Sequence, residues 1–227
     1  LAARMNAATE TVAIAGPAGR ISTAYDAPPG PVRGIAVIAH PHPLYGGTRD
    51  NKVVQTIARA LVAEGFACWR PDFRGVGETE GTHDDGDGET EDLLAVVRHA
   101  RAAAGEHLPL VLGGFSFGSF VQSRVARRLA EEGRPAWRLV LVGVAASRFT
   151  VETVPDDSLV IHGETDDVVP LSAVLDWARP MGLPVVVVPG TGHFFHGRLT
   201  LLKRLVSESI AGARPGTAPD DAGADAS

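Results

Sequence analysis

The 227 residues carry 21 Lys+Arg against 27 Asp+Glu, a formal charge of −6, with 44% hydrophobic residues and a mean hydropathy of +0.06. That balance suits one globular domain with a substantial core; it excludes wholesale disorder and leaves no basic footprint for nucleic acid or an anionic membrane. No apolar run reaches the roughly 20 residues that span a bilayer. The N-terminal LAARMNAATE lacks the apolar core of a secretion signal, so a cytoplasmic protein is expected.

In chain order, residues 1–11 are expected to be a flexible N-terminus and 12–212 a single domain. TVAIAG and RISTAYDA, joined by the turn-former Pro17–Gly19, fit an antiparallel hairpin at a sheet edge. Six nearly continuous apolar runs follow: VRGIAVIAH (32–40), FACWRPD (66–72), LPLVLGGF (108–115), RLVLVGV (138–144), SLVIHG (158–163) and LPVVVVP (183–189). Runs of that kind are strands buried on both faces. The lone Cys68, inside FACW, excludes an internal disulfide and reads as a small buried hydrophobe.

Amphipathic stretches alternate with these runs. Val53, Val54, Ile57 and Leu61 share a helical face, as do Leu93, Leu94, Val97 and Ala100. Phe117, Val121, Val125 and Leu129 continue the pattern, and Leu201, Leu202 and Leu205 form a last stripe. Strand–helix alternation predicts an α/β fold, a mostly parallel central sheet with helices on both faces. The acidic stretch ETEGTHDDGDGETED (78–92) lacks the ligand spacing of a calcium loop and reads as a solvated cap at a helix N-terminus. Residues 213–227 cannot build a core and are expected to be a flexible tail.

The chemistry concentrates in GGFSFGS, residues 113–119, which contains G-x-S-x-G between a buried-type strand and a helical stripe. A serine hydroxyl is a poor nucleophile and needs a base within hydrogen-bond reach, with a third group orienting that base. Glycines at 114 and 118 allow the incoming strand and the outgoing helix to approach closely. That pushes Ser116 outward. Of eight histidines, His193 follows the last apolar run through the turn Gly190–Gly192, which places it at the carboxyl edge of the sheet. His196 is its nearest competitor.

The acid follows by elimination. Neither RLVLVGV nor the residues 145–151 after it contain a carboxylate, whereas SLVIHG is followed at once by Glu164, Asp166 and Asp167. Asp166 is preferred, with Val168 and Val169 behind it to pack beneath, and Asp167 is the runner-up. For an oxyanion, one donor is the backbone N–H of Phe117, beside the serine. The second should come from HPHPLYGG, where Pro41 and Pro43 have no N–H to give. His42 is the first available donor, with Leu44 and Tyr45 behind it. A His40–His42 metal pair is set aside because no further ligands stand nearby in sequence.

Taken together, HPHPLYGGTRDNKVVQ, PDFRGVGETEG, GGFSFGS, VIHGETDDVVP and PGTGHFFHG resemble, in order, a small bacterial α/β-hydrolase of the serine-esterase type. The resemblance runs from about Val32 to Leu205. It implies a Ser116–Asp166–His193 triad, an α/β-hydrolase fold, no cofactor, no metal, and hydrolysis of ester-like bonds in a small-molecule acyl ester. Two departures stand out. His40–Pro41 replaces the His-Gly of many relatives, and the short segment Ala145–Asp157 leaves no room for a cap domain. The site should then be open, with some of Tyr45, Phe115, Phe117, Phe149 and Phe194 lining it. Thioesterase, peptidase or perhydrolase chemistry could use the same three groups, and a non-catalytic binding protein could share the fold.

Overall fold

The apolar runs do become strands, and the computed structural model, which describes residues 8–213, shows why they are apolar on both sides. The hairpin is β1 (Glu10–Gly16) and β2 (Gly19–Asp26), followed by β3 (Gly34–Ala39), β4 (Phe66–Pro71), β5 (Leu110–Phe115), β6 (Arg138–Val142), β7 (Leu159–Gly163) and β8 (Val185–Val188). They form one sheet in the order β1-β2-β4-β3-β5-β6-β7-β8. β2 runs antiparallel to β1 and β4, and all other neighbours are parallel. The N-terminal segment ends earlier than expected, since Glu10 already pairs with Tyr25. The rest of that segment up to residue 7, and the expected flexible tail beyond 213, lie outside the described residues.

Among the described residues five α-helices flank the sheet: α1 (Lys52–Ala63), α2 (Asp87–Ala104), α3 (Phe117–Glu131), α4 (Leu171–Ala178) and α5 (Leu199–Gly212). Side chains alternate along each strand, so β3 sends Ile35, Val37 and Ala39 to one face and Ala36 and Ile38 to the other. The first face is covered by α2 and α3 through Leu93, Val97, Val121 and Val125, with Val174 of α4. The second is covered by Val53, Ile57 and Leu61 of α1 and by Leu202, Val206 and Ile210 of α5. The α5 stripe is therefore shifted from the expected one. Leu202 is buried, but Leu201 and Leu205 only pack partly against the core.

Two other expectations need correction. No helix was expected over 171–178; α4 escapes the sequence pattern because it buries only Val174 and Ala178, too few to make a stripe. The acidic stretch does open α2, but it is not simply solvated. Glu89 is fully buried and accepts from the Gly86 and Asp84 amides, each at 2.9 Å. Asp92 is buried too, and takes a two-pronged bond from Arg74 at 2.7 and 2.8 Å. Carboxylates leave water at such a cost that they need partners of this kind.

The β6–β7 connection contains no helix, so no cap domain covers the carboxyl edge of the sheet among the described residues. Nor is any described helix long and apolar enough to cross a membrane. At that edge β3, β5 and α3 meet in backbone contact. A Cβ on Gly118 would lie 2.4 Å from the Ala39 carbonyl oxygen, and one on Gly114 would lie 2.6 Å from the Gly118 oxygen. His40, next along from β3, is fully buried and tied at both ring nitrogens. Its Nε2 accepts from the Phe73 amide at 2.9 Å, so Nδ1 carries the proton donated to the Pro41 oxygen at 2.7 Å.

Gly118→Ala is expected to cost about 3 kcal/mol or more in urea unfolding, since the atoms it meets are backbone and cannot turn aside. Gly212→Ala, with nothing within 4 Å of its new methyl, should be neutral or mildly stabilising. A pH effect follows from His40, whose pKa falls from 6.5 to about 3, first because burial disfavours its charged form. The unfolded chain takes up that proton first. Stability from this group is thus intact above pH 6.5 and lost as pH falls toward 3, with a limiting slope of about 1.4 kcal/mol per pH unit. Unfolding curves across that window should be flatter in His40→Gln than in the wild type.

Candidate active site

Ser116 stands where β5 turns into α3, with φ 55° and ψ −119°. A non-glycine residue rarely adopts a positive φ, and the strain is held by the glycine contacts on either side. The Ser116 amide donates to the Val142 oxygen at 2.9 Å, fixing the turn to β6. Its hydroxyl faces His193, with Nε2 at 3.1 Å. His193 Nδ1 lies 2.6 Å from Asp166 Oδ2. An ionised carboxylate can only accept, so Nδ1 bears the proton and Nε2 is left to accept from the serine.

The loops that carry the histidine and the aspartate are joined along their backbones. Glu164 N donates to Val188 O and Thr165 N to Thr191 O, both at 3.0 Å, and the Glu164 carboxylate receives the Gly190 amide at 2.8 Å. A Cβ on Gly163 would come 2.2 Å from the Thr191 oxygen, so the crossing needs glycine. Gly143 plays a matching part, because its missing Cβ would stand 3.2 Å from His193 Cε1.

Val168 and Val169 do more than pack beneath Asp166: their amides donate to its Oδ1 at 2.9 and 2.7 Å. Burial pushes the carboxyl's pKa up. The bonds from His193 and Val169 outweigh that and hold it below the ordinary carboxylate range. Asp167 is exposed. His196 is exposed as well, its ring meeting Phe194 rather than Ser116.

One buried group near the site was missed from sequence. His162, at the end of β7, donates from Nε2 to the Val169 oxygen at 2.9 Å and lies 3.5 Å from Asp166 Oδ2. Burial, the largest influence, holds its pKa down, so it serves as a neutral brace under the aspartate loop. Its signal was only a polar residue within an otherwise apolar strand.

The loop after β3 limits its own amides. Leu44 N donates to His42 Nδ1; Tyr45 N and Gly47 N donate to His42 O; Gly46 N donates to Pro43 O. With prolines at 41 and 43, the His42 N–H is the one amide between 41 and 47 with no partner among the described residues. The amide of Phe117, first in α3, likewise has no carbonyl one turn before it to bond. His40 offers no free nitrogen to a metal, because both are bound to backbone.

Two of the five aromatics expected along the wall lie on it. A cleft of about 420 Å³ opens beside Ser116 and His193 and is lined by Tyr45 and Phe194, exposed at 76% and 44%. Phe115 cannot touch a ligand, because it is fully buried beneath the His193 ring, 4.8 Å between centroids. Phe149 is also displaced from the wall, stacked on Phe120 at 4.7 Å. Phe117 is buried and packs edge-on against Phe149. The wall includes Asn51 and Arg148, neither singled out from sequence.

The same architecture occurs in proteins of known structure. A lidless α/β serine hydrolase from Xanthomonas campestris is 34% identical, with a TM-score of 0.84 over 94% of this chain and 98% of that one. An α/β serine hydrolase homologue from Coxiella burnetii is 36% identical, with a TM-score of 0.77 over 88% and 96%. An uncharacterized protein of Rickettsia prowazekii is 26% identical over 210 residues, covering 86% of each chain. Residues 30–150 match the model of the family described as serine aminopeptidase, S33. With its sheet order, serine turn and uncovered carboxyl edge, the chain belongs to that family within the α/β-hydrolase superfamily, and is a serine-hydrolase-type member without a lid.

Proposed function

We propose that the protein is a carboxylesterase acting on short-chain acyl esters through Ser116, His193 and Asp166. The observation that carries this is the relay of contacts, 3.1 Å from the serine hydroxyl to the imidazole and 2.6 Å from the imidazole to the carboxylate. In the first half-reaction His193 Nε2 takes the Ser116 proton as Oγ attacks the acyl carbonyl. The Phe117 and His42 amides hold the oxyanion, each such donor worth about 3 kcal/mol in the transition state. The imidazolium then gives its proton to the departing alcohol, leaving an acyl-serine. Water, deprotonated by the same nitrogen, attacks the acyl group; the acid leaves and Ser116 regains its proton. Asp166 stays ionised throughout, orienting the ring and offsetting its transient charge.

The family's description raises a peptidase. An aminopeptidase has to hold a free α-ammonium, and the natural partner for that group is a carboxylate. The cleft wall has none among the described residues, which favours ester chemistry. The open rim favours small acyl groups, because nothing encloses a long chain.

Ser116→Ala should abolish labelling by a fluorophosphonate probe and lower kcat by about 10⁴-fold or more, with folding unchanged by circular dichroism. Asp166→Asn should lower kcat by about 10⁴-fold, since the amide favours the wrong imidazole tautomer. Labelling that survives Ser116→Ala would sink the assignment. Independently, acetate and butyrate esters should be turned over faster than long-chain triglycerides; the reverse order in an acyl-length series refutes the short-chain preference.

A further inference from the structure

The cleft is more polarised than the chain around it. Although the protein is acidic overall, at −6, no carboxylate lines the cleft among the described residues, and Arg148 is its one permanently charged side chain. Arg148 is exposed and forms no ion pair with any described carboxylate, unlike Arg127 on α3, which pairs with Glu152 at 2.8 Å. Its backbone is not loose. The Arg148 and Phe149 amides both donate to the Ala145 oxygen, at 3.2 and 3.1 Å, and the Phe149 ring is stacked on Phe120. The backbone that carries the guanidinium is thus fixed at the cleft, and no described carboxylate takes up its fork of donors.

Asn51 lies on the same wall. Its Oδ1 caps α1, accepting from the Val53 amide at 2.9 Å and from Val54 at 3.4 Å. What it leaves to a ligand is the amide's two N–H donors. The charge of Arg148 also reaches the loop opposite. Burial, then His83, then Arg148 hold the His42 imidazole below its ordinary pKa, against Asp85 and Glu89.

We infer that Arg148 is a specificity-determining residue that selects ester substrates bearing an anionic group. This rests on the esterase reading, and it deepens that reading by naming the substrate class. The anion could sit on the acyl part or on the alcohol part; either would place a carboxylate or phosphate against the Arg148 fork while the apolar remainder meets Tyr45 and Phe194. A neutral ester would leave the guanidinium solvated and gain nothing from it.

The test has two arms. The first compares kcat/KM for monomethyl glutarate with that for dimethyl glutarate, placing the charge on the acyl side. The second compares 4-acetoxybenzoate with its methyl ester, placing it on the alcohol side. The wild type should favour the anion by about tenfold in at least one arm, in line with a hydrogen bond to a charged group. Salt at about 0.5 M should shrink that ratio. Arg148→Gln should bring it to about one, Arg148→Lys should keep part of it, and Arg148→Glu should invert it. No anion preference in either arm, or a preference that Arg148→Gln leaves intact, overturns the inference. If the fluorophosphonate still labels Ser116 in that case, the hydrolase reading stands. If labelling and turnover are both absent, both fail together.

Discussion

Everything at the carboxyl edge depends on α3 touching β3 with no side chain between them. Gly118 lets the first turn of α3 lie against the carbonyls of Ala39 and His40, the nearer of which would be 2.4 Å from a Cβ. Polar side chains then fasten the contact. Gln122 is fully buried and donates to the oxygens of Val37 at 2.9 Å and Gly113 at 3.0 Å, while the Ser119 hydroxyl lies 3.1 Å from those of Gly114 and Val142. Because these bonds reach β3, β5 and β6 at once, the helix cannot relax away. The strain at Ser116, on the order of 1–3 kcal/mol for such a backbone, is held rather than released. The same contact sets the Phe117 amide beside the loop that leaves β3, so the proposed nucleophile and the proposed oxyanion donors share one foundation.

That loop is held from its far end by buried charge. Arg70, fully buried on β4, binds Asp26 through Nη2 at 3.0 Å and donates to the Arg49 oxygen at 2.8 Å. The Arg49 amide in turn donates to Asp72 at 2.9 Å, and its guanidinium to Ser22 at 3.0 Å. Burial, the largest influence on Asp72, raises its pKa against the pull of Arg49, so this carboxylate is kept at a cost. Buried ion pairs of this kind are weak sources of net stability. What they supply here is position. Together with the two bonds of His40, they fix residues 40–51 between β2, β4 and β3, and the His42 amide is left as an unused donor beside Phe117.

How far the sequence could be read followed from what each signal depends on. The strand set and the faces of α1, α2 and α3 were legible because burial on both sides of a parallel sheet leaves long apolar runs and regular stripes. Ser116, Asp166 and His193 could be placed together because strand ends in such a sheet share one edge, so position in the chain implied position in space. Direction of side chains was another matter. Phe115 and Phe194 are alike in sequence, yet one ends a strand beneath the imidazole and the other stands in solvent at its rim. Glu89 and Asp92 looked like surface acids because their partners, the Asp84 and Gly86 amides and Arg74, are recognisable only once the turn is folded. His162 was passed over because its partners, Val169 and Asp166, meet it only once the turn after β7 is folded, and Arg148 because the cleft it lines is built by segments distant in the chain.

Charge in the cleft must also be weighed against charge on the whole molecule. A net −6 repels an approaching anion, but at physiological ionic strength that field fades beyond about 8 Å. Arg148 is exposed at the cleft, so water and salt screen it as well, and its pull on an anion is felt only within that distance. Selection by Arg148 would therefore operate at contact and not through steering. A group held away from the reacting carbonyl contributes alike to ground and transition states unless the approach of Oγ tightens its grip. The distinction falls on KM if the anion merely binds, and on kcat if it also aligns the carbonyl with the Phe117 and His42 amides. An open, lidless rim gives the substrate few other handles, so a contact with Arg148 would weigh correspondingly more in where the ester sits.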